Sequence, residues 1–218
     1  MSDHHSEANA KLFLAGEDGE LIAFEPKNSF MLTSSASQQR LILATNEDRI
    51  DVFKSLLDFY PGPFVITVVV QSPHGAIKKA GRYYSEWDRT RTQIDYFLDY
   101  FHDYISLCGM IHLWVTCQGT EGIVVYDQHD VFYVYGKPLE IANVFLDKGY
   151  SEGIPPIDFA HAHKTRDDVR PGTEELMKYG KWTCHPLDTT DIANPEEKTA
   201  KNYLMKARSW LFRKILRK

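Results

Sequence analysis

Residues Met110–Gly136, MIHLWVTCQGTEGIVVYDQHDVFYVYG, hold three apolar runs separated by two short polar breaks. The runs are Met110–Cys117, Ile123–Tyr126 and Val131–Tyr135, and the breaks are Gln118–Gly122 and Asp127–Asp130. Val, Ile, Tyr, Phe and Trp dominate the runs, and these residues suit a pleated, half-buried surface. Short runs broken by Gly or Asp predict an antiparallel meander. In the first run Ile111, Leu113, Val115 and Cys117 fall on one face, and His112, Trp114 and Thr116 on the other. Both faces carry large groups, so each side of this meander should be covered.

Upstream, Lys11–Ala15 and Glu20–Phe24 flank a Gly-Glu-Asp-Gly turn, which predicts a hairpin. Ser29–Thr33 and Arg40–Ala44 read as two more strands. Thr45 and Asn46 offer a cap to a helix carrying Ile50, Phe53, Leu56, Leu57 and Tyr60. Phe64–Gln71 is a β-branched strand, and Arg82–Ser85 a short one. A long helix is expected between a capping box at Ser85 and Asp88 and a left-handed cap at Gly109. Its inward stripe is Ile94, Phe97, Leu98, Phe101, Tyr104, Ile105 and Cys108. Pro138 and Gly149 bracket another helix. The order of elements, without regular βα alternation, predicts an α+β fold: a mixed or mainly antiparallel sheet with helices packed on it.

The expected organisation is a leader at 1–10, one domain over 11–194, and a basic amphipathic helix at 195–218. The domain includes a mostly irregular stretch from 150 to 194. With 218 residues, 43% of them hydrophobic, the chain can bury a sizeable core without disulfides. Three cysteines, an odd number without CxxC spacing, and a polar start lacking a signal-peptide pattern make a soluble, cytoplasmic protein the expectation. Eight Lys or Arg and two Glu give the last 24 residues a charge of +6, leaving −11 on the rest of a chain whose net charge is −5. An acidic body repels phosphates, which argues against nucleic acid there.

Three groups of residues carry candidate chemistry. Asp95, Asp99 and Asp103 recur every four residues beside Tyr96, Tyr100 and Tyr104. Like charges at this spacing disfavour a helix by about 0.2–0.5 kcal/mol per pair, so the row invites a reason. It reads as a solvated face, as a docking surface for a basic protein partner through Asp95, Tyr96, Asp99, Tyr100 and Asp103, or as a seat for the basic C-terminal helix. Second, His161-Ala162-His163 places two imidazoles on one side of an extended segment, a spacing that suits two ligands of a divalent metal. Asp158, Asp167, Asp168, Cys184 and His185 lie nearby in sequence. The motif resembles the histidine–x–histidine motif of the cupins, which implies a metal held by His161 and His163. It departs from that pattern in the distance to Gly153, in Asp167 standing where the family has Glu, and in lacking the second cupin motif. Third, His129 sits between Asp127 and Asp130, an arrangement that suits a general base with its tautomer fixed; Asp is also an ordinary turn residue, and the turn is the expected role.

No GxSxG elbow, GxGxxG fingerprint or phosphate-binding P-loop is present. The leading expectation is therefore a non-enzymatic binding protein without a cofactor, of the acidic inhibitor or immunity type. The alternatives are a metal-dependent hydrolase using His161 and His163, and a peripheral membrane or adaptor protein acting through residues 195–218.

Overall fold

The computed structural model describes residues 10–15, 20–35, 38–153, 155 and 161–187. The expected C-terminal helix and all but Ala10 of the leader lie outside the described residues. The fold is α+β. A nine-stranded sheet contains β3 (Ser29–Ser35), β4 (Gln38–Ala44), β5 (Phe64–Val70), β6 (Gly81–Ser85), β7 (Ile111–Cys117), β8 (Ile123–Tyr126), β9 (Val131–Tyr135), β10 (Ser151–Glu152) and β12 (Trp182–His185). Its spatial order is β10-β3-β4-β9-β8-β7-β5-β6-β12, antiparallel throughout except where β10 joins β3. The expected meander is its middle: β7, β8 and β9 are consecutive neighbours, with Trp114 opposite Val125 and Val125 opposite Tyr133. A second, three-stranded sheet places β1 (Leu12–Ala15) between β2 (Leu21–Ala23) and β11 (His161–His163).

Among the described residues, five helices pack on one face of the large sheet: α1 (Arg49–Leu57), α2 (Arg91–Tyr100), α3 (His102–Leu107), α4 (Pro138–Asp147) and α5 (Gly172–Tyr179). The alternation along β7 sorts as read. Ile111, Leu113, Val115 and Cys117 join the helices' buried residues, while Trp114 joins a separate cluster with Ile42, Val69, Val125, Val131, Tyr133 and Tyr135.

Two caps differ from the local pattern. Asp48, not Thr45 or Asn46, caps α1 and accepts from the backbone N–H groups of Ile50 and Asp51. Thr45 instead bonds Tyr150 across the molecule at 2.6 Å. Thr90 and Gln93 form the capping box of α2, because Ser85 is taken into β6, where its hydroxyl accepts from the N–H of Ile66. The expected single helix breaks at Phe101 (φ −101°, ψ 19°), yet its stripe stays inward, with Ile94, Phe97, Leu98 and Cys108 fully buried. The stretch after Tyr150 is less irregular than expected: it supplies strands to both sheets, a 3-10 turn at Asp167–Val169 and all of α5.

Gly109 does not make the left-handed cap its position promised. Its role is close approach: a Cβ there would meet the Lys164 carbonyl oxygen at 2.6 Å and the His163 Cβ at 3.0 Å. The Gly109 N–H donates to that same carbonyl at 3.1 Å, so the start of β7 holds the end of β11 against it. Gly109→Ala should therefore destabilise the chain by about 1–3 kcal/mol, the usual cost of forcing atoms into a filled space. A urea midpoint equal to that of the wild type would show that the contact does not constrain the fold.

Candidate metal centre

Several segments meet at one end of the large sheet. The β8–β9 turn (Asp127–Asp130), the residues just before β7, and the loop after β5 are brought there by strand register: Val70 lies opposite Ile111, and Leu113 opposite Tyr126. The small sheet sits against this end. Its β1 pairs with β11 so that Leu14 faces His161 and Leu12 faces His163, which leaves the two histidines on one side of the strand.

What ties the small sheet to the turn is Lys11, the residue before β1. Its side chain is 1% exposed. Its ammonium donates to the Asp127 carbonyl oxygen at 2.9 Å, lies 3.4 Å from the Asp130 carboxylate, and sits 3.8 Å from the centre of the Tyr126 ring. Asp130 occupies the left-handed region (φ 59°), accepts from the Tyr126 hydroxyl and lies 3.6 Å from Arg49. Burial pushes the Lys11 pKa down, and the two carboxylates beside it work in the opposite direction. A buried ammonium needs such partners, because desolvating an unpaired charge costs several kcal/mol.

With the small sheet so placed, His129 of the turn meets His161 and His163 of β11. The three rings form a near-equilateral triangle, with centroids 4.8, 4.9 and 5.0 Å apart and planes inclined at 71–81°. One ring nitrogen of each lies within 4.8 Å of the others. Tetrahedral zinc with Zn–N near 2.0–2.1 Å needs donor atoms about 3.3 Å apart, a contraction within reach of side-chain rotation.

The surroundings of each ring fit this use. The Asp127 carboxylate accepts from His129 Nδ1 at 2.7 Å, which orients the ring and leaves Nε2 as the nitrogen for a ligand role. Burial works against the Asp127 charge, but His129, His112 and Lys11 outweigh it and bring its pKa to about 2. The same carboxylate accepts from the backbone N–H groups of His129 (2.8 Å) and Val131 (3.3 Å), so it shapes the turn and orients the imidazole at once. Both ring nitrogens of His163 are buried without a hydrogen-bond partner. Burial, with His129 and His161 adding to it, takes the His163 pKa down to about 3, which keeps the ring neutral and its lone pair available. Nearby, buried His112 accepts from the Gln71 amide at 3.0 Å and is held near pKa 4 by burial.

Of the expected set, the structure thus brings together His161 and His163, adds His129 from the turn, and leaves the other ligand types elsewhere. Asp167 and Asp168 are paired with Arg170 (2.7 Å) and Arg166 (2.6 Å). Cys184 and His185 belong to β12 at the rim of the large sheet, and Asp158 lies outside the described residues. Among the described residues, His129, His161 and His163 are the only group of three such side chains in reach of one another.

His163 also lines a cavity of about 450 Å³, together with His74, Lys164, Thr165, Arg170 and Thr173. One wall is a chain of hydroxyls and imidazole: Thr173 donates to the Tyr104 hydroxyl at 3.0 Å, which lies 3.2 Å from His74 Nε2. Cys108 Sγ is 3.9 Å from that same nitrogen, a neighbour 34 positions away that no local motif reveals.

The acidic row on α2 and α3 has cations of its own. Asp95 pairs with Arg91 at 2.9 Å, Asp99 with Lys54 of α1, and Asp103 with His102 at 2.8 Å. Tyr96 and Tyr100 are exposed and stack on each other, while Tyr104 is buried. Charge alone therefore no longer argues for an external basic surface. Nor does the row need the C-terminal segment as a counter-ion.

No protein-family model, curated protein or solved structure matches the chain. The likeness to the cupins rests on the His161–His163 motif alone. Among the described residues, no helix is long and apolar enough to cross a membrane.

Two measurements check these electrostatics. Lys11→Met should cost about 3–5 kcal/mol in urea unfolding, since it removes the buried cation that Asp127 and Asp130 share. Lys54→Met, which breaks an exposed pair, should cost about 0–1 kcal/mol, and equal effects would contradict the contrast. His102 has its pKa raised because Asp103 and Asp48 outweigh its partial burial. Its stabilising effect is complete below about pH 6.5, the ordinary histidine value, and disappears as pH rises through the higher folded value. His102→Gln should flatten that part of the stability–pH curve.

Proposed function

We propose that the chain is a metal-dependent enzyme of the hydrolase class, with its centre at His129, His161 and His163. The observation that carries this reading is the convergence of three imidazoles from two separate sheets on one point. Structural zinc sites usually take four protein ligands, whereas catalytic ones take three and keep a position open. Three histidines, one of them lining a cavity, follow the second pattern. Bound zinc supplies Lewis-acid chemistry, including activation of a water.

The chain's own residues do the rest. Asp127 fixes the tautomer and direction of His129, the outer partner that metal-bound histidines commonly have. His161 and His163 are spaced by the pleat of β11 and positioned by its register with β1. Lys11 holds that small sheet against the turn and bonds the backbone of the residue that orients His129. Of the residue types present, imidazole suits zinc, copper, iron or nickel better than calcium or magnesium.

Elemental analysis tests the reading. Protein loaded with zinc and desalted should retain about one ion per chain. That ion should be lost in the His161→Ala/His163→Ala variant and in His129→Ala, with unchanged far-UV circular dichroism. Wild-type protein that retains no more metal than these variants would end the proposal. Asp127→Asn should weaken zinc binding by about 10–100-fold while leaving the ligands in place.

A further inference from the structure

We propose that the face of the large sheet opposite its helices is the seat of this chain's own C-terminal segment, residues 195–218, received by the apolar side of the amphipathic helix that the sequence predicts there. This docking is independent of the metal centre.

The face is the cluster around Trp114, Val125 and Tyr133. It crosses six adjacent strands, from Met31 on β3 to Val69 on β5, and the helices' buried residues belong to the other side. Its side chains are nonetheless shielded from water: Trp114 is 5% exposed, Val125 3% and Tyr133 8%. The indole Nε1 of Trp114 is buried with no hydrogen-bond partner. An apolar surface of this extent calls for a cover, because folded chains in water leave few such patches bare. Among the described residues, Leu187 is the one member of the cluster outside the strands of the large sheet. It is also where the described residues end. The chain therefore turns onto this face after β12, and residues 188–218 continue from it.

The length and pattern of that remainder fit the face. Tyr203, Leu204, Ala207, Trp210 and Leu211 recur at helical spacing, with Lys206, Arg213 and Arg217 on the other side. A helix over 195–218 would extend about 36 Å. The six strands span about 24 Å at their usual spacing, so one helix reaches across the whole cluster. Charge decides which side of it faces the sheet. The guanidiniums of Arg40 and Arg82 lie over Tyr133 and Trp114, at 5.5 and 5.7 Å from the ring centres, so this face has cations of its own. It repels the basic side of the helix and accepts the apolar one. The acidic row of α2 and α3 would attract the opposite side.

Photocrosslinking in the full chain separates the two seats. Trp210→p-benzoylphenylalanine puts the reactive group on the apolar side, and irradiation should link it, within monomers, to residues 123–135 or to β4 and β7. The links should persist in about 1 M salt, where exposed charges are screened beyond roughly 3 Å. Arg213→p-benzoylphenylalanine, on the basic side, should give several-fold fewer. Links to residues 91–107 instead, links between two copies, loss of the links at high salt, equal yields from the two positions, or no links would each overturn the proposal. In a second measurement, Leu204→Asp/Leu211→Asp should raise binding of the neutral dye Nile red several-fold, whereas Lys206→Glu/Arg213→Glu should not. Equal dye binding by both variants would count as decisively against it.

Discussion

A single buried ammonium governs how the two sheets meet. Lys11 has no water to turn to, so it must find a carbonyl, a carboxylate and an aromatic face within the protein, and the β8–β9 turn offers all three. Burying a charge is costly, and only such a complete set of partners makes it tolerable. The requirement is also directional. The next residue, Leu12, pairs with His163, so fixing the ammonium fixes β11 one strand away. A salt bridge that does little for stability on balance can still decide which surface lies against which.

The turn itself joins two roles that look like alternatives on paper. Asp127 is an ordinary turn aspartate, bonding the backbone two and four residues on. With its other oxygen it holds the His129 ring. A carboxylate has enough lone pairs for both tasks, so the structural explanation of such a residue does not exhaust it. The hydrogen bond from His129 and the Lys11 ammonium nearby help keep it ionised despite full burial, which a turn alone would not require.

Much of the fold was legible because its signals are local. The alternation along Ile111–Cys117, the Pro138 and Gly149 brackets of α4, and the inward stripe from Ile94 to Cys108 depend only on spacing. The errors arose where a long-range partner competes with a local one. Ser85 looks like a cap but serves β6, and Thr45 looks like a cap but reaches Tyr150. The same distinction divides the site. His161 and His163 announce themselves as a pair, whereas His129 joins them only through β1, a strand far from both in sequence. The acidic row was visible, but the lysine facing Asp99 sits on another helix, 45 positions earlier.

The large sheet is open, and both of its outermost strands come late in the chain. β10 lines the flank of β3 and β12 that of β6, and each is drawn from residues beyond 150. A chain emerging from the ribosome and extended only through α4 already has the seven inner strands, with two bare flanks offering unpaired N–H and C=O groups. Such flanks recruit other chains. The flanks of β3 and β6 are thus covered only once nearly the whole described chain is available.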